Sequence, residues 1–272
     1  MDEESSLKIL CDALAKERGA DPAEIAPGLD LRTLARSLVN VRPPAPLPPR
    51  LLKIQDDYLR QRAREKGIVN AMALPCIKES LGSRLSQAER ICLWQGDITV
   101  LETDAIVNAA NDQMLGCFVP MHRCIDNQIH TFAGVQLRLE CWEQMQRLRA
   151  EHGEDYAQPV AVPLVTKGYN LPARHVIHVA GPIAAAGVTP LLERQLRECY
   201  LNVLEACRKH AFKSVVFCCI STGVFAFPNA LAASVAVNAV TGWLEEHPGS
   251  LDRVVFNVFK DEDLRLYEKL LA

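Results

Sequence analysis

No part of this 272-residue sequence is apolar over the roughly 18 consecutive residues that a membrane-spanning helix requires. A surplus of one charge is also missing, since 30 Lys and Arg residues face 33 Asp and Glu residues and the formal net charge is −3. Proteins that bind nucleic acids generally carry a basic surplus. We therefore expect neither a membrane protein nor a nucleic-acid-binding protein, and a monomer is the default expectation.

A secretory signal is missing as well. The chain begins Met1-Asp2-Glu3-Glu4, which is acidic and is not followed by an apolar stretch. We therefore expect an intracellular, cytoplasmic protein, and disulfides are rare in that compartment. The ten cysteines are expected to be free thiols, most of them buried as small hydrophobic side chains.

The first third of the sequence has the pattern of a helical extension, because its apolar residues recur at the i, i+3, i+4, i+7 spacing of one helix face. The residues that carry this pattern are Leu7, Leu10, Cys11 and Leu14, followed by Leu31, Leu34 and Leu38. Asp21, Pro22 and Glu24 are typical of a helix start with an N-cap, a first-turn proline and a capping-box acid. A further helix is expected over 55–66.

A proline-rich segment over 41–49 interrupts this helical part, with five prolines in nine residues. Proline removes a backbone donor and cannot continue a helix, so the segment is expected to be an extended connector. The pattern of the sequence changes near residue 86. We predict a helical N-terminal extension over 1–85, which includes the connector, and an α/β domain over 86–272.

Short apolar runs alternate with longer amphipathic segments in the second part. The predicted strands are Ile91–Trp94, Ala105–Asn108, Val160–Val165, His175–Val179, Ser214–Ile220 and Arg253–Val258, and the predicted helices cover 127–149, 189–210, 229–247 and 261–271. This alternation predicts a sheet with helices on both faces. Ligands bind to such sheets in the loops at the carboxyl ends of the strands, so we expect a site in the loops after Asn108, Val179 and Ile220.

The loop after Asn108 contains the strongest chemical pattern. Cys117, His122 and Cys124 have the spacing Cys-x4-His-x-Cys, and zinc sites with three such ligands leave a fourth position open for water or substrate. Two buried cysteines beside a loop histidine are an equally good interpretation of these residues alone. Asn108 and Asn111 can offer amide groups to ligand hydroxyls, or they can belong to a simple Asn-rich turn.

Two further segments have a binding interpretation and a plain one. The residues Ser221–Phe225 lie before a predicted helix, where small residues let backbone N–H groups face an anion. The same segment also fits an ordinary strand-to-helix turn. Asp97, after Gln95-Gly96, can accept a hydrogen bond from an exocyclic amine or can cap a turn.

Taken together, these segments resemble a macrodomain, the family of ADP-ribose-binding modules. The matching segments are Gly96–Ile98, Asp104–Asn111, Ile129-His130 with Ala133-Gly134, Val176–Pro182 and Ser221–Phe225. More narrowly, Gly116–Phe118, Pro120, His122, Cys124–Asn127 and the helical extension with its connector and Gln55-Asp56 resemble the zinc-containing macrodomains. Those proteins are hydrolases that remove mono-ADP-ribose from modified proteins. The resemblance implies a three-layer α/β/α fold with a mixed central sheet, preceded by the helical extension.

The resemblance also implies roles for individual residues. Zinc would be bound by Cys117, His122 and Cys124, and the catalytic group would comprise Asp126, Asn111 and Asn127. ADP-ribose would be bound by Asp97, Ile98, Asn108, Ser221, Thr222, Gly223, Val224, Phe225 and Phe259, with Asp97 at the adenine amine and the Ser221–Phe225 segment around the diphosphate. Asn111 would hold the distal ribose. The chain departs from other hydrolytic macrodomains where the Cys-His-Cys segment replaces a glycine-rich stretch, so the diphosphate contacts of those glycines are not expected here.

The mechanism that follows is cleavage at the distal ribose through an oxocarbenium-like state, as in glycoside hydrolysis. Zinc would bind or orient a water or a ribose hydroxyl, and Asp126 would orient the water or accept its proton. His130, His178 and Cys141 are expected to be core residues. Three alternatives stay open: a reader that binds ADP-ribose without chemistry, a hydrolase of a small ADP-ribose derivative, and zinc as a purely structural clip with a fourth ligand.

Overall fold

The computed structural model describes residues 2–20 and 28–272. Its strands are β1 Val69–Asn70, β2 Ile91–Gln95, β3 Leu101–Glu102, β4 Ala105–Ala110, β5 Leu164–Lys167, β6 His175–Ala180, β7 Ser214–Phe217 and β8 Arg253–Val258. Its α-helices are α1 Glu3–Glu17, α2 Leu31–Val41, α3 Pro49–Lys66, α4 Ile77–Ser80, α5 Ile125–Ala133, α6 Val135–His152, α7 Pro190–Lys209, α8 Asn229–Glu246 and α9 Asp261–Leu271. The predicted helix start at Asp21, Pro22 and Glu24 lies outside the described residues.

A six-stranded mixed sheet forms the centre of the fold, in the order β2-β8-β7-β4-β6-β5. Its neighbouring strands are parallel except for β5, which runs antiparallel to β6 at the edge. The central strands are buried along their length, as the continuous apolar run of β7 predicts. The order and directions of the strands confirm the expected α/β fold. Because five of the strands are parallel, their carboxyl ends meet at one edge of the sheet, and the loops in which a site was expected lie together there.

The N-terminal helices have a small core of their own. Leu7, Leu10, Leu34 and Leu38 are buried in it, and Val135 at the start of α6 joins the same cluster. The apolar spacing of α1 and α2 is therefore satisfied by packing within the extension, and Val135 connects that packing to the α/β part. Among residues 2–20 and 28–272, no helix is both long and apolar enough to cross a membrane.

Several element boundaries differ from the sequence-based predictions, such as the end of β7 at Phe217 rather than Ile220, and three of the differences have a local reason. The helix predicted over 127–149 is two helices, because Gly134 has φ 94° and separates α5 from α6. The edge strand begins at Leu164 rather than Val160, because Pro163 has no N–H to donate to a neighbouring strand. The helix expected from Gln55 begins at Pro49, since proline is well tolerated in the first turn of a helix.

Candidate active site

The residues singled out in the sequence gather at the carboxyl edge of the parallel strands. Asn111 directly follows β4, Phe259 directly follows β8, and Asp97 lies two residues beyond β2. Ser221 lies four residues after the end of β7. The strand order places β7 between β8 and β4, so these loops are neighbours although they are far apart in the sequence.

A buried carboxylate, Asp126, lies at the start of α5 beneath this edge. Asn108 donates a hydrogen bond from Nδ2 to Asp126 Oδ1 at 2.7 Å, and Asn111 Nδ2 lies 3.4 Å from Asp126 Oδ2. Only 5% of Asp126 is exposed, and burial raises the pKa of its carboxyl to about 6 even though the Asn108 amide favours the charged form. A carboxylate held this way has a fixed orientation and is ionised at neutral pH.

The Cys-His loop, defined here as residues 116–124, connects β4 to α5. Gly116 has φ 80°, and a Cβ at this position would lie 2.7 Å from His130 Cγ, so only glycine fits. Asn111 donates to Gly116 O at 3.1 Å, and Asn127 donates from Nδ2 to Val119 O at 3.0 Å. The loop is therefore fixed at its start and near its middle by two asparagine side chains.

The three predicted metal ligands come together in this loop. One ligand atom from each of Cys117, His122 and Cys124 lies within 4.8 Å of the other two, and all three residues are half-buried. Cys117 Sγ is 3.5 Å from His122 Nδ1. In a tetrahedral zinc site, Zn–S distances of about 2.3 Å and Zn–N distances of about 2.0–2.1 Å place a sulfur and a nitrogen ligand about 3.6 Å apart. The donor set and its spacing therefore fit a zinc ion with one open position.

Cys124 has a second function in this geometry. It is the N-cap of α5, and the Asn127 N–H donates to its sulfur at 3.4 Å. Burial raises the pKa of the Cys124 thiol to about 12, so the metal-free side chain is protonated and a metal must displace that proton to bind. Because Asp126 is two residues further along the same helix, the cap places the carboxylate directly behind the ligand set.

A second group of histidine and cysteine side chains lies deeper in the sheet. His178 on β6 is bonded at both ring nitrogens, with Nδ1 3.0 Å from Asn108 Nδ2 and Nε2 3.0 Å from Thr166 Oγ1. Cys141 and His130 complete this group, and all three residues are buried. Burial lowers the pKa of His178 to about 3 and raises that of the Cys141 thiol well above its usual value. These residues are neutral core groups, as the sequence predicted, and His178 supports Asn108 from behind.

The Asp97 end of the edge is linked to the N-terminal extension. Lys66, the last residue of α3, lies 2.8 Å from Asp97 Oδ2, and its ammonium lies 3.0 Å from the centroid of the Phe132 ring. The other carboxylate oxygen of Asp97 accepts from the Thr99 N–H at 3.0 Å. Burial opposes the charge on Asp97, but the Lys66 and Thr99 contacts outweigh it and lower the pKa of the carboxyl.

The loop after β7 is a partly exposed turn ahead of α8. Ser221 and Ala226 have positive φ angles of 65° and 54°, and Phe227 N–H donates to Ser221 O at 3.0 Å, which closes the turn. Thr222, Gly223, Val224 and Phe225 lie between these points, and Val224 is 74% exposed. Part of this loop is therefore open to solvent.

Several predicted ligand-binding or catalytic residues are enclosed by protein in this structure. Asn108 and Asn127 have no exposed surface, and Ile98 is 1% exposed. The Asn108 amide holds Asp126, and the Asn127 amide holds the Cys-His loop. Their proposed contacts with a ligand stay predictions. Phe259, in contrast, is 76% exposed beside β8.

Four residues that contact the site could not be found from the sequence, because they lie far from it along the chain: Arg36, Asn40, Lys66 and Arg138. Arg138, which is 5% exposed, donates to Leu115 O at 2.8 Å and to Val39 O at 3.1 Å, and its guanidinium packs 4.2 Å from the centroid of the Phe118 ring. These long-range contacts have no local sequence signal. Asn40 gives no signal either, because it lies one turn after Arg36 on the side of α2 away from Leu34 and Leu38.

Known proteins resemble this chain over its sequence and its fold. The Macro domain family matches residues 107–236. A protein-ADP-ribose hydrolase of Staphylococcus aureus is 42% identical over 266 residues, which cover 97% of this chain and 94% of that protein. A protein-ADP-ribose hydrolase of Treponema medium is 42% identical over 242 residues, which cover 89% of this chain and 87% of that protein.

Solved structures agree with these relatives. A Trypanosoma brucei macrodomain in complex with ADP-ribose matches with a TM-score of 0.63 at 30% identity, over 84% of this chain and 92% of that one. An Oceanobacillus iheyensis macrodomain with ADP matches with a TM-score of 0.56 at 34% identity, over 65% of this chain and 87% of that one.

Proposed function

Because this chain belongs to the macrodomain family, we propose that it is a zinc-dependent hydrolase that releases mono-ADP-ribose from modified proteins. The enzymatic class, a hydrolase, follows from the protein-ADP-ribose hydrolases that are 41–42% identical to it over nearly their whole length. The finer parts of the proposal are the zinc ion, the mono-ADP-ribose substrate and the residues that carry the reaction.

One observation supports these finer parts most. A buried carboxylate that is already oriented, Asp126, lies two residues beyond an open Cys-His-Cys set at the carboxyl edge of the sheet. A module that only binds ADP-ribose has no use for an oriented carboxylate beside three metal ligands. A purely structural zinc site is closed by a fourth protein ligand, and the group found among the described residues has three members.

Cys117, His122 and Cys124 would hold the ion. The chemistry that zinc supplies when bound by such ligands is polarisation and orientation of an oxygen atom from water or from the substrate. Two thiolates would balance the charge of the ion. The zinc site as a whole would therefore be neutral and would attract the Asp97 and Asp126 carboxylates only weakly. The fit rests on the 3.5 Å separation of Cys117 Sγ and His122 Nδ1.

The protein residues would then divide the work along the edge of the sheet. Asp97 would accept from the adenine amine, with Ile98 and the exposed Phe259 beside the base. The turn formed by Ser221, Thr222, Gly223, Val224 and Phe225 would bind the diphosphate through its main chain and small side chains. This arrangement would leave the distal ribose over Asn111 and Asp126.

Cleavage would proceed by attack of water at the anomeric carbon of the distal ribose. The water oxygen forms the new bond, the bond from the anomeric carbon to the protein side chain breaks, and the leaving side chain takes up the proton that Asp126 removes from the water. Asp126 would accept the proton of the water, and Asn111 would hold the ribose in place. Asn108 and Asn127 would act behind these groups, the first by fixing Asp126 and the second by fixing the Cys-His loop.

The test is the release of free ADP-ribose from a mono-ADP-ribosylated protein, measured with the purified enzyme before and after zinc removal. We expect release by the zinc-loaded protein, loss of release after chelation, and recovery when zinc is returned. Release that survives complete metal removal would keep the hydrolase and contradict the role of zinc. Tight ADP-ribose binding without release from several amino-acid linkages would instead support a reader, or a small ADP-ribose derivative as the substrate.

A further inference from the structure

We propose that the N-terminal extension is a working part of the metal centre, in which Arg36 and Asn40 of α2 hold the backbone of the Cys-His loop and so position His122 for the metal. The inference rests on the proposed function of that loop as a zinc site. It assigns the extension a role beyond covering the α/β part of the molecule, because two of its side chains would support the metal site there.

The Arg36 side chain reaches the loop at a ligand residue. Its Nη2 donates to the carbonyl oxygen of His122 at 3.0 Å and to Asn127 Oδ1 at 3.0 Å. Asn127 in turn donates to Val119 O and, through its main-chain N–H, to Cys124 Sγ. One guanidinium nitrogen therefore fixes the main chain of the histidine ligand and the amide that holds the rest of the loop.

Asn40 supports the residue immediately before the histidine ligand. Its Oδ1 accepts from the Met121 N–H at 3.0 Å, and its Nδ2 donates to Thr131 Oγ1 at 2.8 Å. Met121 has φ 57°, a left-handed conformation that is strained for a residue with a Cβ. Such a conformation persists where surrounding contacts enforce it, and Asn40 of α2, which is 1% exposed, supplies one of those contacts.

Neither contact is explained by helix packing. Leu34 and Leu38 lie on the apolar face of α2, which packs into the core of the extension. Arg36 and Asn40 instead contact loop residues that are 81 or more positions away in the sequence. Burying polar groups costs free energy unless hydrogen bonds replace their water contacts. If the extension only covered the α/β part, we would expect apolar residues at these two positions.

The physical consequence is preorganisation of the ligand set. A free loop of this length would have to be ordered when the metal binds, and that entropy would reduce the affinity. Hydrogen bonds behind metal ligands typically change metal affinity by about 10–100-fold when they are removed. We expect an effect of that size for each of the two residues, although neither touches the metal.

The experiment compares the metal affinity of full-length variants by competition with a fluorescent zinc chelator. Arg36→Met and Asn40→Ala are expected to weaken zinc binding about 10–100-fold, and Arg36→Lys, which keeps one donor, should lie between Arg36→Met and the wild type. Arg32→Met is the matched control, because Arg32 lies on the same helix but pairs with Glu3 and Glu65 of the extension. Arg36 lines a cleft of about 170 Å³, so a shorter side chain there does not disturb a packed core.

Two readouts separate positioning from general destabilisation. The Tm of the metal-free Arg36→Met protein should stay close to that of Arg32→Met, and hydrolysis lost at low zinc should return at excess zinc. Folded Arg36→Met and Asn40→Ala proteins that bind zinc as tightly as the wild type would overturn the inference while leaving the proposed function intact. A wild-type protein that binds no zinc would overturn the zinc part of the proposed function and this inference together.

Discussion

Two groups of three cysteine and histidine residues in this molecule bring their ligand atoms equally close together but have opposite surroundings. Cys117, His122 and Cys124 are half-buried in a loop at the carboxyl edge of the sheet. His130, Cys141 and His178 are fully buried between the sheet and two helices, and their ligand atoms also lie within 4.8 Å of one another. Geometry alone would assign a metal to both groups.

The hydrogen bonds of the two groups distinguish them. Both ring nitrogens of His178 already have partners, and Cys141 is completely enclosed by protein. In the loop group, Cys117 Sγ and His122 Nδ1 contact each other and the loop is open to solvent on one side. A set of metal-ligating residue types becomes a metal site only where its lone pairs are free and protons can leave.

The largest effect expected from this contrast concerns zinc itself. Cys117→Ser should lower zinc affinity by more than about 100-fold, because loss of a ligand exceeds the roughly 10–100-fold cost of losing a hydrogen bond behind one. Cys141→Ser is the matched control in the buried group and should leave zinc affinity unchanged. Equilibrium dialysis of both variants measures the difference, and weaker zinc binding by Cys141→Ser would mean that the buried group holds the ion.

Asp126 lies between the two groups, and its effect should appear in turnover rather than in metal binding. Asp126→Asn keeps an oxygen to accept from Asn108 but removes the group that takes up a proton. We expect kcat to fall by about 100-fold, the lower end of the range for a general base, with ADP-ribose affinity within a few-fold of the wild type. Steady-state hydrolysis and isothermal titration calorimetry measure the two quantities. A loss of affinity with unchanged kcat would assign Asp126 to binding instead.

Much of this contrast could be predicted from the sequence, and part of it could not. Cys-x4-His-x-Cys is a local pattern, so its spacing could predict that Cys117, His122 and Cys124 lie together. The apolar runs of β4 and β7 placed the loops at one edge. The support of the loop by Arg36, Asn40 and Arg138 could not be predicted, because it depends on how the extension packs against residues some 80 or more positions away. The burial of Asn108 behind Asp126 could not be predicted for the same reason. Asn108 and Asn111 look equivalent in the sequence, and only the packing of α5 encloses Asn108.

The smallest effect expected from the contrast is a pH dependence of stability that the buried group produces. The pKa of His178 is near 6.5 in an unfolded chain and about 3 in the fold, where Asn108, Thr166, Cys141 and His130 surround it. The unfolded state therefore takes up a proton as the pH falls below 6.5 while the folded state does not. The stability that the neutral histidine provides is complete above pH 6.5 and is lost progressively toward pH 3, by about 1.4 kcal/mol between pH 7.5 and 5.5.

The neighbours of His178 change how the free energy of unfolding of each protein depends on pH. They do not change the difference between the wild type and a variant that lacks only the His178 titration. Burial, together with the nearby His178 and Arg138, lowers the pKa of His130 as well, which adds to the loss of stability in acid. The raised pKa of Asp126 makes proton uptake there stabilising and offsets part of that loss. His178→Gln retains a donor for Thr166 and removes the titration, so its free energy of unfolding should fall about 1.4 kcal/mol less than that of the wild type over this interval. Urea unfolding of the metal-free proteins at both pH values measures the difference. Parallel losses in the two proteins would mean that His178 is protonated in the fold, and the buried group would then have to be reconsidered as a site open to protons and metal.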